Sequence, residues 1–285
     1  LQSGEITLTH IDYAMSNEDY HDKDKHPHIS SSDIKEIEKT SLLHWAIKAQ
    51  LPRKKPTPAM LMGSAIHAMI SEPEKELFVR GLPDRRKRSE WAKLEEAAEK
   101  KGQTVLTESE YDEAKRISDK AIETCPVLKN ALSLDDLMVE ASIFTKCPHS
   151  DLLMKIRPDM MSMNLRTMWD IKTTTDVTPD GFAREVRRWG YATQAAVYLH
   201  AAAAAGIDID HFIFLAVDKE TGICVAYELS ELYLKYAEKS MFRVLDQLTD
   251  AEASGQFDTG WDSINTLHLP AFLEDQLGDY DNTPF

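Results

Sequence analysis

Apolar side chains recur at helical spacing through residues 31–130, and this pattern predicts four helices. The predicted helices cover residues 31–50, 58–79, 89–101 and 107–123. The second has the strongest start signal, because Thr57 can act as N-cap and Pro58 occupies the first helical position. The region as a whole is therefore expected to be helical.

The pattern changes to strands after residue 136. Three consecutive strands are predicted, over Leu137–Thr145, Leu152–Met161 and Thr167–Thr173. A helix over residues 181–205 then precedes a continuous apolar strand, His211–Val217, which is typical of a strand covered on both faces. A further strand in "GICVAYEL" and a helix over residues 230–250 complete the order. This order predicts an α/β fold with a central mixed β-sheet flanked by helices and an added N-terminal helical region.

The same patterns suggest three parts of the chain. Residues 1–30 are polar and are expected to form a loosely packed N-terminal arm. Residues 31–250 are predicted to form a single domain, with a helical part over residues 31–130 and a sheet core over residues 137–250. Residues 251–285 have little periodicity and are predicted to be an acidic C-terminal tail.

Composition narrows the setting of the protein. Of the 285 residues, 42% are hydrophobic, which is enough for a sizeable core. Apolar runs fall well short of the ~20 residues that span a bilayer, so no membrane association is expected. The three cysteines are widely spaced and form no C-x-x-C pair, which argues against a disulfide framework or a cysteine-ligated metal and favours a cytoplasmic location.

The net charge of −15 argues at first against a nucleic-acid partner. Eight of the acids lie from Asp250 onward, where there is no Lys or Arg, so the net charge of the remainder is −7. Basic clusters occur at residues 53–55, at 85–88 and at 184–188. Each cluster either contributes to a local anion-binding surface or is an ordinary solvated face.

The segment "IRPDMMSMNLRTMWDIKTT" (residues 156–174) places charges inside two apolar strands. If Asn164 and Leu165 form the turn, Met161 faces Met168 and Asp159 faces Asp170. Lys172 lies two residues after Asp170 and so points to the same face. Two opposed carboxylates require positive charge, from Lys172 and from a divalent cation with oxygen ligands such as Mg²⁺ or Mn²⁺. The alternative is a salt-bridge ladder on a half-exposed sheet.

Two helical segments add candidate residues to this patch. Gly63 and His67 are four residues apart on the second helix, and a glycine within a helix indicates close packing against another element. Gln194 and Tyr198 have the same spacing on the helix after the third strand. In isolation, each pair is more often explained by ordinary helix packing than by a site.

The chain contains the segments "GSAIHAMISEPE", "EASI", "RPD" and "DIKTT" and the Gln194/Tyr198 pair. Together, these motifs resemble those of RecE-type exonucleases in the PD-(D/E)xK (RecB-like) nuclease superfamily. The resemblance covers roughly residues 10–250. It implies that His67, Asp159, Asp170 and the backbone carbonyl of Ile171 bind metal, with two ions per site. Lys172 would activate or orient the attacking water. Gln194 and Tyr198 would support the site or touch DNA, and Glu140 would be a neighbouring support or a second-metal ligand.

The resemblance also implies an activity and partners. The implied activity is that of a Mg²⁺-dependent 5′→3′ exodeoxyribonuclease, which degrades linear double-stranded DNA to give 3′ overhangs for recombination. The implied assembly is a ring-shaped homo-oligomer (trimer or tetramer), and the implied partner is a RecT-type annealing protein. Alternatives are another PD-(D/E)xK nuclease, structure-specific or endonucleolytic, and a catalytically dead binding module. The residues expected to contact DNA are basic: Arg53, Lys54, Lys55, Arg85, Arg86, Arg88 and Arg157.

The end of the chain, "LEDQLGDYDNTPF", resembles the acidic tips of bacterial single-stranded-DNA-binding proteins. Pro284 and Phe285 are therefore predicted to bind a partner that reads such tips, in an apolar pocket rimmed by basic residues. The alternative is a disordered solubilising tail.

Overall fold

Ten α-helices and ten strands form in the described part of the chain, which in this computed structural model comprises residues 9–51, 55–261, 264 and 266–268. The helices are α1 (Asn17–His21), α2 (Ser31–Lys39), α3 (Leu42–Ala49), α4 (Pro58–Ser71), α5 (Arg88–Glu99), α6 (Glu108–Thr124), α7 (Pro126–Leu132), α8 (Pro179–Trp189), α9 (Tyr191–Ala204) and α10 (Glu231–Ser254). The strands are β1 (His10–Asp12), β2 (Phe78–Arg80), β3 (Thr104–Leu106), β4 (Met138–Val139), β5 (Ser142–Lys146), β6 (Leu153–Ile156), β7 (Met160–Ser162), β8 (Thr167–Thr174), β9 (His211–Asp218) and β10 (Cys224–Glu228).

The central sheet has five strands in the order β10-β9-β8-β7-β4. The pair β8–β9 is parallel and the other pairs are antiparallel, so the sheet is mixed. A second sheet, β1-β5-β6, is antiparallel, and β2 and β3 form a small parallel pair. The α/β fold with a mixed sheet flanked by helices that the sequence predicts is confirmed.

Strand β8 divides the apolar interior into two layers because its side chains alternate between faces. Met168 packs in the layer that contains α2, α9 and α10, whereas Trp169 and Ile171 pack in the layer that contains α4, α6 and α7. Asp170 and Lys172 have the register of Met168, so their side chains start on the α9 face. The sheet therefore separates the α9 side of the candidate site from the α4 side.

The register of the β7–β8 hairpin is the one that the sequence predicts, but the ladder ends at Met160 and Trp169, one position before the predicted Asp159–Asp170 pair. Met161 pairs with Met168, and Ser162 pairs with Thr167. The loop between these strands takes four residues, and Arg166 adopts a left-handed conformation with a φ of 50°. The exposed loop position, at which no core contact is lost, tolerates this conformation in a residue with a side chain.

Several long predicted elements are each divided in two by a single backbone position. Gly190, with a φ of 65°, ends α8 and starts α9, where one helix is predicted over residues 181–205. Glu140, with a φ of 53°, separates β4 from β5 and sends them to different sheets. Thr40 separates α2 from α3. Side-chain periodicity continues across such breaks, so the pattern does not reveal them.

The segment before residue 31 packs more closely than a loose polar arm would. Strand β1 pairs with β5, and the Tyr20 side chain of α1 is 6% exposed. The backbone of Ile29 accepts a hydrogen bond from Lys155 and donates one to Leu153. These contacts hold the segment against β5 and β6.

No helix in the described ranges is both long and apolar enough to cross a membrane.

Candidate active site

The site forms where β7 stops pairing with β8. The ladder between these strands covers residues 160–162 and 167–169, so the β7-facing edge of β8 is open from Asp170 onward. The Asp159 carboxylate fills the next position by accepting a hydrogen bond from the Ile171 N–H at 2.6 Å. Because the N–H and C=O of a strand residue point to the same side, the Ile171 carbonyl also faces this edge.

Asp170 and Lys172 form an ion pair on the α9 side of the opening. Lys172 Nζ lies 2.5 Å from Asp170 Oδ2, and the side chain of Asp170 is 2% exposed. The other carboxylate oxygen, Oδ1, accepts a hydrogen bond from Gln194 Nε2 at 2.5 Å. The amide of Gln194 therefore fixes the orientation of Asp170, as the resemblance implies for a residue that supports the site.

His67 approaches the same edge from the α4 side. Its Nε2 lies 2.9 Å from Asp159 Oδ2, and its side chain is 21% exposed. Helix α4 comes close enough for this contact at Gly63, where an added Cβ would lie 3.2 Å from Thr173 Oγ1. The close packing that the mid-helix glycine predicts is confirmed.

Glu140 joins His67 and Asp159 in one cluster. Ligand atoms of these three residues lie within 4.8 Å of one another, and His67 Nε2 is 3.7 Å from Glu140 Oε1. The left-handed backbone at Glu140 turns the chain between two sheets, and its N–H donates to the Asp159 carbonyl. Glu140 thus lies at the site itself, with the choice between a support and a metal ligand left open by the sequence.

Tyr198 and Arg157 connect the cluster to the N-terminal segment. The Tyr198 hydroxyl donates to the Arg157 carbonyl at 3.0 Å. The Arg157 guanidinium donates to Ser142 Oγ at 2.9 Å and to the Met15 carbonyl, and it lies 3.6 Å from Glu140 Oε2. Arg157 is only 7% exposed, so it lies under the site and not on a surface that DNA could reach.

The charges in the cluster shift the pKa values of its members in opposite directions. Burial would lower the pKa of His67, but the charge and the hydrogen bond of Asp159 raise it to about 9. Burial and the charge of Asp159 raise the pKa of Glu140 to about 7. Burial also raises the pKa of Asp170, to about 6, although Lys172 opposes the shift. The His67 charge and its hydrogen bond overcome burial and hold the pKa of Asp159 below its usual value.

These residues fit a divalent cation. One imidazole and two carboxylates supply donors that suit Mg²⁺ or Mn²⁺, and the imidazole favours Mn²⁺ more than an all-oxygen set would. The buried Asp170 Oδ2 atom has the Lys172 ammonium as its neighbour, at 2.5 Å. His67, Glu140 and Asp159, whose ligand atoms lie within 4.8 Å of one another, would hold the ion, and Asp170 stays a predicted ligand. Burial raises the pKa values of Glu140 and Asp170, and the charge of a bound cation would oppose that shift.

We expect divalent cations to stabilise the protein more at high pH than at low pH. Because the pKa of His67 is raised, its stabilising contribution is complete below about pH 6.5 and is lost as pH rises through about 9. The raised pKa values of Glu140 and Asp170 also make stability fall as pH rises towards about 7 and about 6. A cation replaces these protons, so its apparent affinity should rise about tenfold per pH unit for each proton displaced.

Thermal unfolding with and without Mn²⁺ at pH 6 and pH 8.5 measures this effect. The increase in Tm should be larger at pH 8.5. His67→Gln should make the increase less dependent on pH above about pH 7, because it removes the proton that the cation displaces there. An increase in Tm that is equal at both pH values in the unmodified protein would contradict the assignment of these residues to the cation.

The described residues that are predicted to bind DNA have different surroundings. Arg85 donates two hydrogen bonds to the Glu110 carboxylate, and Arg86 forms an ion pair with Asp84 at 2.6 Å. Arg88 is the exposed first residue of α5 and Lys55 is exposed before α4. Contact of these four side chains with DNA stays a prediction. Arg53, Lys54, Pro284 and Phe285 lie outside the described residues.

Two residues that the sequence analysis does not select lie beside the cluster. The Lys172 ammonium is 4.9 Å from the ring centroid of Tyr191. The Lys35 ammonium is near enough for the charge of Lys172 to add to burial in lowering the pKa of Lys35 to about 8. Tyr191 directly follows Gly190, and Lys35 reads as an exposed position of an amphipathic helix, so neither carries a sequence signal of its own.

The chain matches a known protein family in sequence and a solved structure in fold. Residues 30–259 match the family described as a PDDEXK-like domain of unknown function (DUF3799). No curated protein matches the chain in sequence. A crystal structure described as a "Putative exonuclease" from Eubacterium rectale has a similar fold, with a TM-score of 0.57 and 17% identity over 92% of this chain and 98% of that chain. The chain therefore belongs to the DUF3799 family of PDDEXK-like domains, within the PD-(D/E)xK nuclease superfamily.

Proposed function

We propose that the protein is a divalent-metal-dependent exodeoxyribonuclease that degrades linear double-stranded DNA. The observation that supports this most strongly is the arrangement around Asp159. His67 from α4, Glu140 between two sheets, and the Asp170–Lys172 pair on β8 approach one open strand edge. A protein that only buffers metal ions would not need an ammonium group held beside the carboxylates, as Lys172 is.

Each residue has a chemical role in phosphodiester hydrolysis. A bound Mg²⁺ or Mn²⁺ would acidify a water molecule and stabilise the charge that develops on the phosphate. His67, Asp159, Asp170 and the Ile171 carbonyl would hold the cation, with Glu140 as a further ligand or support. Lys172, with its ammonium next to Asp170 and 18% of its side chain exposed, orients the attacking water or the phosphate. Gln194 keeps Asp170 in position through its amide hydrogen bond.

The finer features of the proposal come from the resemblance to RecE-type exonucleases. They are 5′→3′ polarity, 3′ overhangs for recombination, two Mg²⁺ ions per site, and a ring of three or four copies that works with a RecT-type annealing protein in the cytoplasm. The Pro284–Phe285 tip is assigned to a partner that reads acidic C-termini. The similar structure is described as a "Putative exonuclease", which agrees with exonucleolytic action.

A panel of DNA substrates tests the proposal. Linear duplex, nicked circle, closed circle and single strands are incubated with the protein in Mg²⁺ and in a chelator. We expect loss of the linear duplex in Mg²⁺ alone, with the closed circle intact, because an exonuclease requires an end. A linear duplex labelled on one 5′ end should release its label before a duplex labelled on the 3′ end.

The panel also separates the alternatives. Cutting of closed circles would reject the exonuclease in favour of an endonuclease of the same superfamily. Binding of DNA without cleavage in Mg²⁺ or Mn²⁺ would favour a catalytically dead module. Lys172→Ala protein purified in parallel controls for contaminating nucleases, because a contaminant would be equally active in both preparations.

A further inference from the structure

A large groove lies beside the candidate active site, between α2, α8 and α10. Its volume is about 1200 Å³, larger than the ~300–1,000 Å³ of a typical small-ligand pocket. One wall is formed by α2, another by the end of α8 and the start of α9, and the third by α10. An open groove of this size on three helices suits an extended polymer better than a small molecule.

The groove is basic in a chain that is strongly acidic. Its cations, which come from all three walls, are Lys35, Lys39, Arg187, Arg188 and Arg243. The two acids that line the groove both have partners. Glu36 forms an ion pair with Lys48 at 2.6 Å, and Glu38 accepts a hydrogen bond from the Thr193 hydroxyl at 2.6 Å. With a net charge of −15 for the whole chain, this concentration of positive charge attracts a polyanion locally.

Aromatic rings lie among these cations. Trp189 is 46% exposed and Tyr236 is 71% exposed, and Tyr233 lies on the same helix as Tyr236. The Arg188 guanidinium lies 4.9 Å and the Lys39 ammonium 5.8 Å from the Trp189 ring centroid. Exposed aromatic rings flanked by cations allow bases to stack while phosphates pair with the charges.

The groove comes close to the active site at the α8–α9 junction. The Lys35 side chain packs on Gly190, where an added Cβ would lie 3.1 Å from its Cγ and Cδ. Gly190 precedes Tyr191, whose ring lies 4.9 Å from the Lys172 ammonium. A polymer in the groove would therefore extend to within one or two side chains of Lys172.

We propose that this groove binds single-stranded DNA and guides one strand of the substrate to or from the Lys172 side of the active site. The inference rests on the proposed nuclease function and specifies which part of the protein holds the strand. A single strand is preferred over a duplex because its bases are free to stack on Trp189 and Tyr236, whereas the bases of a duplex are stacked within the helix.

Fluorescence anisotropy with a labelled oligothymidylate tests the groove directly. The oligonucleotide has about 12 nucleotides, within the site sizes of single-strand-binding folds, and a chelator prevents cleavage. We expect Trp189→Ala combined with Tyr236→Ala to weaken binding at least about tenfold, because two rings on which bases stack are lost. Arg187→Gln combined with Arg243→Gln should reduce the slope of log affinity against log salt by about 1.4, or ~0.7 per phosphate contact.

Matched controls use exposed residues outside the groove. Lys235 is on α10, with 73% of its side chain exposed, but it does not line the groove. Lys235→Gln should therefore leave the salt slope unchanged. Tyr13, which is 61% exposed, provides the aromatic control as Tyr13→Ala. Thermal unfolding should give similar Tm values for all these variants, because the altered side chains are exposed.

The results distinguish failure of the groove from failure of the nuclease proposal. If both groove variants bind the oligonucleotide like the unmodified protein while linear duplex is still degraded, the groove proposal is overturned and the nuclease stands. If the groove variants lose oligonucleotide binding but no form of the protein cleaves DNA, only the nuclease proposal fails. The groove proposal is also overturned if the variants bind oligothymidylate normally but lose binding of an acidic peptide with the sequence of residues 273–285.

Discussion

Replacing Lys172 by alanine should reduce the rate of DNA cleavage by at least about a thousandfold, equivalent to ~4 kcal/mol of transition-state stabilisation. Two effects combine. The ammonium that orients water or phosphate is lost, and Asp170 loses the cation that opposes the burial-driven rise of its pKa. The pKa of Asp170 should then rise above about 6, so that more of it is protonated near neutral pH and holds metal poorly.

Single-turnover cleavage with protein in excess measures this loss independently of binding, and anisotropy in chelator checks that DNA is still bound. The residual activity of Lys172→Ala should rise more steeply with pH than that of the unmodified protein, because Asp170 must ionise.

Lys172→Arg keeps the charge and should lose less activity, although a guanidinium cannot give up a proton. Lys235→Ala is the exposed control. Activity of Lys172→Ala within about tenfold of the unmodified protein would remove Lys172 from the catalytic group.

Asp159→Asn should remove both cation binding and cleavage. The asparagine oxygen can still accept the hydrogen bond that the Ile171 N–H donates to Asp159 at 2.6 Å, so the strand edge should be preserved. The negative charge between His67 and Lys172 is lost. Since even substitutions around metal ligands weaken metal affinity ~10–100-fold, we expect at least about a 100-fold loss for this ligand. Turnover should fall with it.

Mn²⁺-dependent thermal stabilisation, followed as a titration, measures the loss of affinity for Asp159→Asn. Glu140→Gln is the matched variant, because it neutralises the other carboxylate of the same three-residue cluster. A smaller loss for Glu140→Gln would make Glu140 a support of the site, and an equal loss would make it a ligand. If Asp159→Asn keeps the full Mn²⁺-dependent increase in Tm, the cation does not bind at Asp159.

The link from Arg157 to the N-terminal segment gives the site a rigid base. Arg157 donates to Ser142 and Met15 and its guanidinium lies 4.6 Å from the Tyr20 ring centroid, while its carbonyl accepts from Tyr198. Asp159 is only two residues further along the chain. The buried guanidinium therefore fixes the backbone that carries the central carboxylate, with the segment from Met15 to Tyr20 as its anchor.

Local spacing was sufficient to predict the hairpin and its register. Alternation with a period of two assigns each residue of β7 and β8 to a face, and a shift by one residue would move Met161 and Met168 out of the core. The same alternation groups Asp170 with Lys172. Helical spacing likewise aligns Gly63 with His67, and Gln194 with Tyr198, because residues four apart share a face.

Contacts between distant segments were beyond the reach of these patterns. The Arg157 side chain reads as a basic residue next to a predicted strand, yet it is buried against Ser142 and Met15. The break at Gly190 was hidden because apolar residues continue through it. Lys35 acquires its place beside Lys172 only when α2 packs against α9.

The sequence by itself determined which residue types occur at which spacing, and hence the mixed sheet, the hairpin register and the group of candidate ligands. The tertiary structure alone decided how these candidates meet: Asp159 caps the open edge of β8, His67 reaches it from the α4 face, and Asp170 and Lys172 lie on the α9 face. It also decided that Arg157 is buried and that the cations of α2, α8 and α10 line one groove. The physical reason is that periodicity reports the face of one element, whereas distances between elements depend on how their faces pack together.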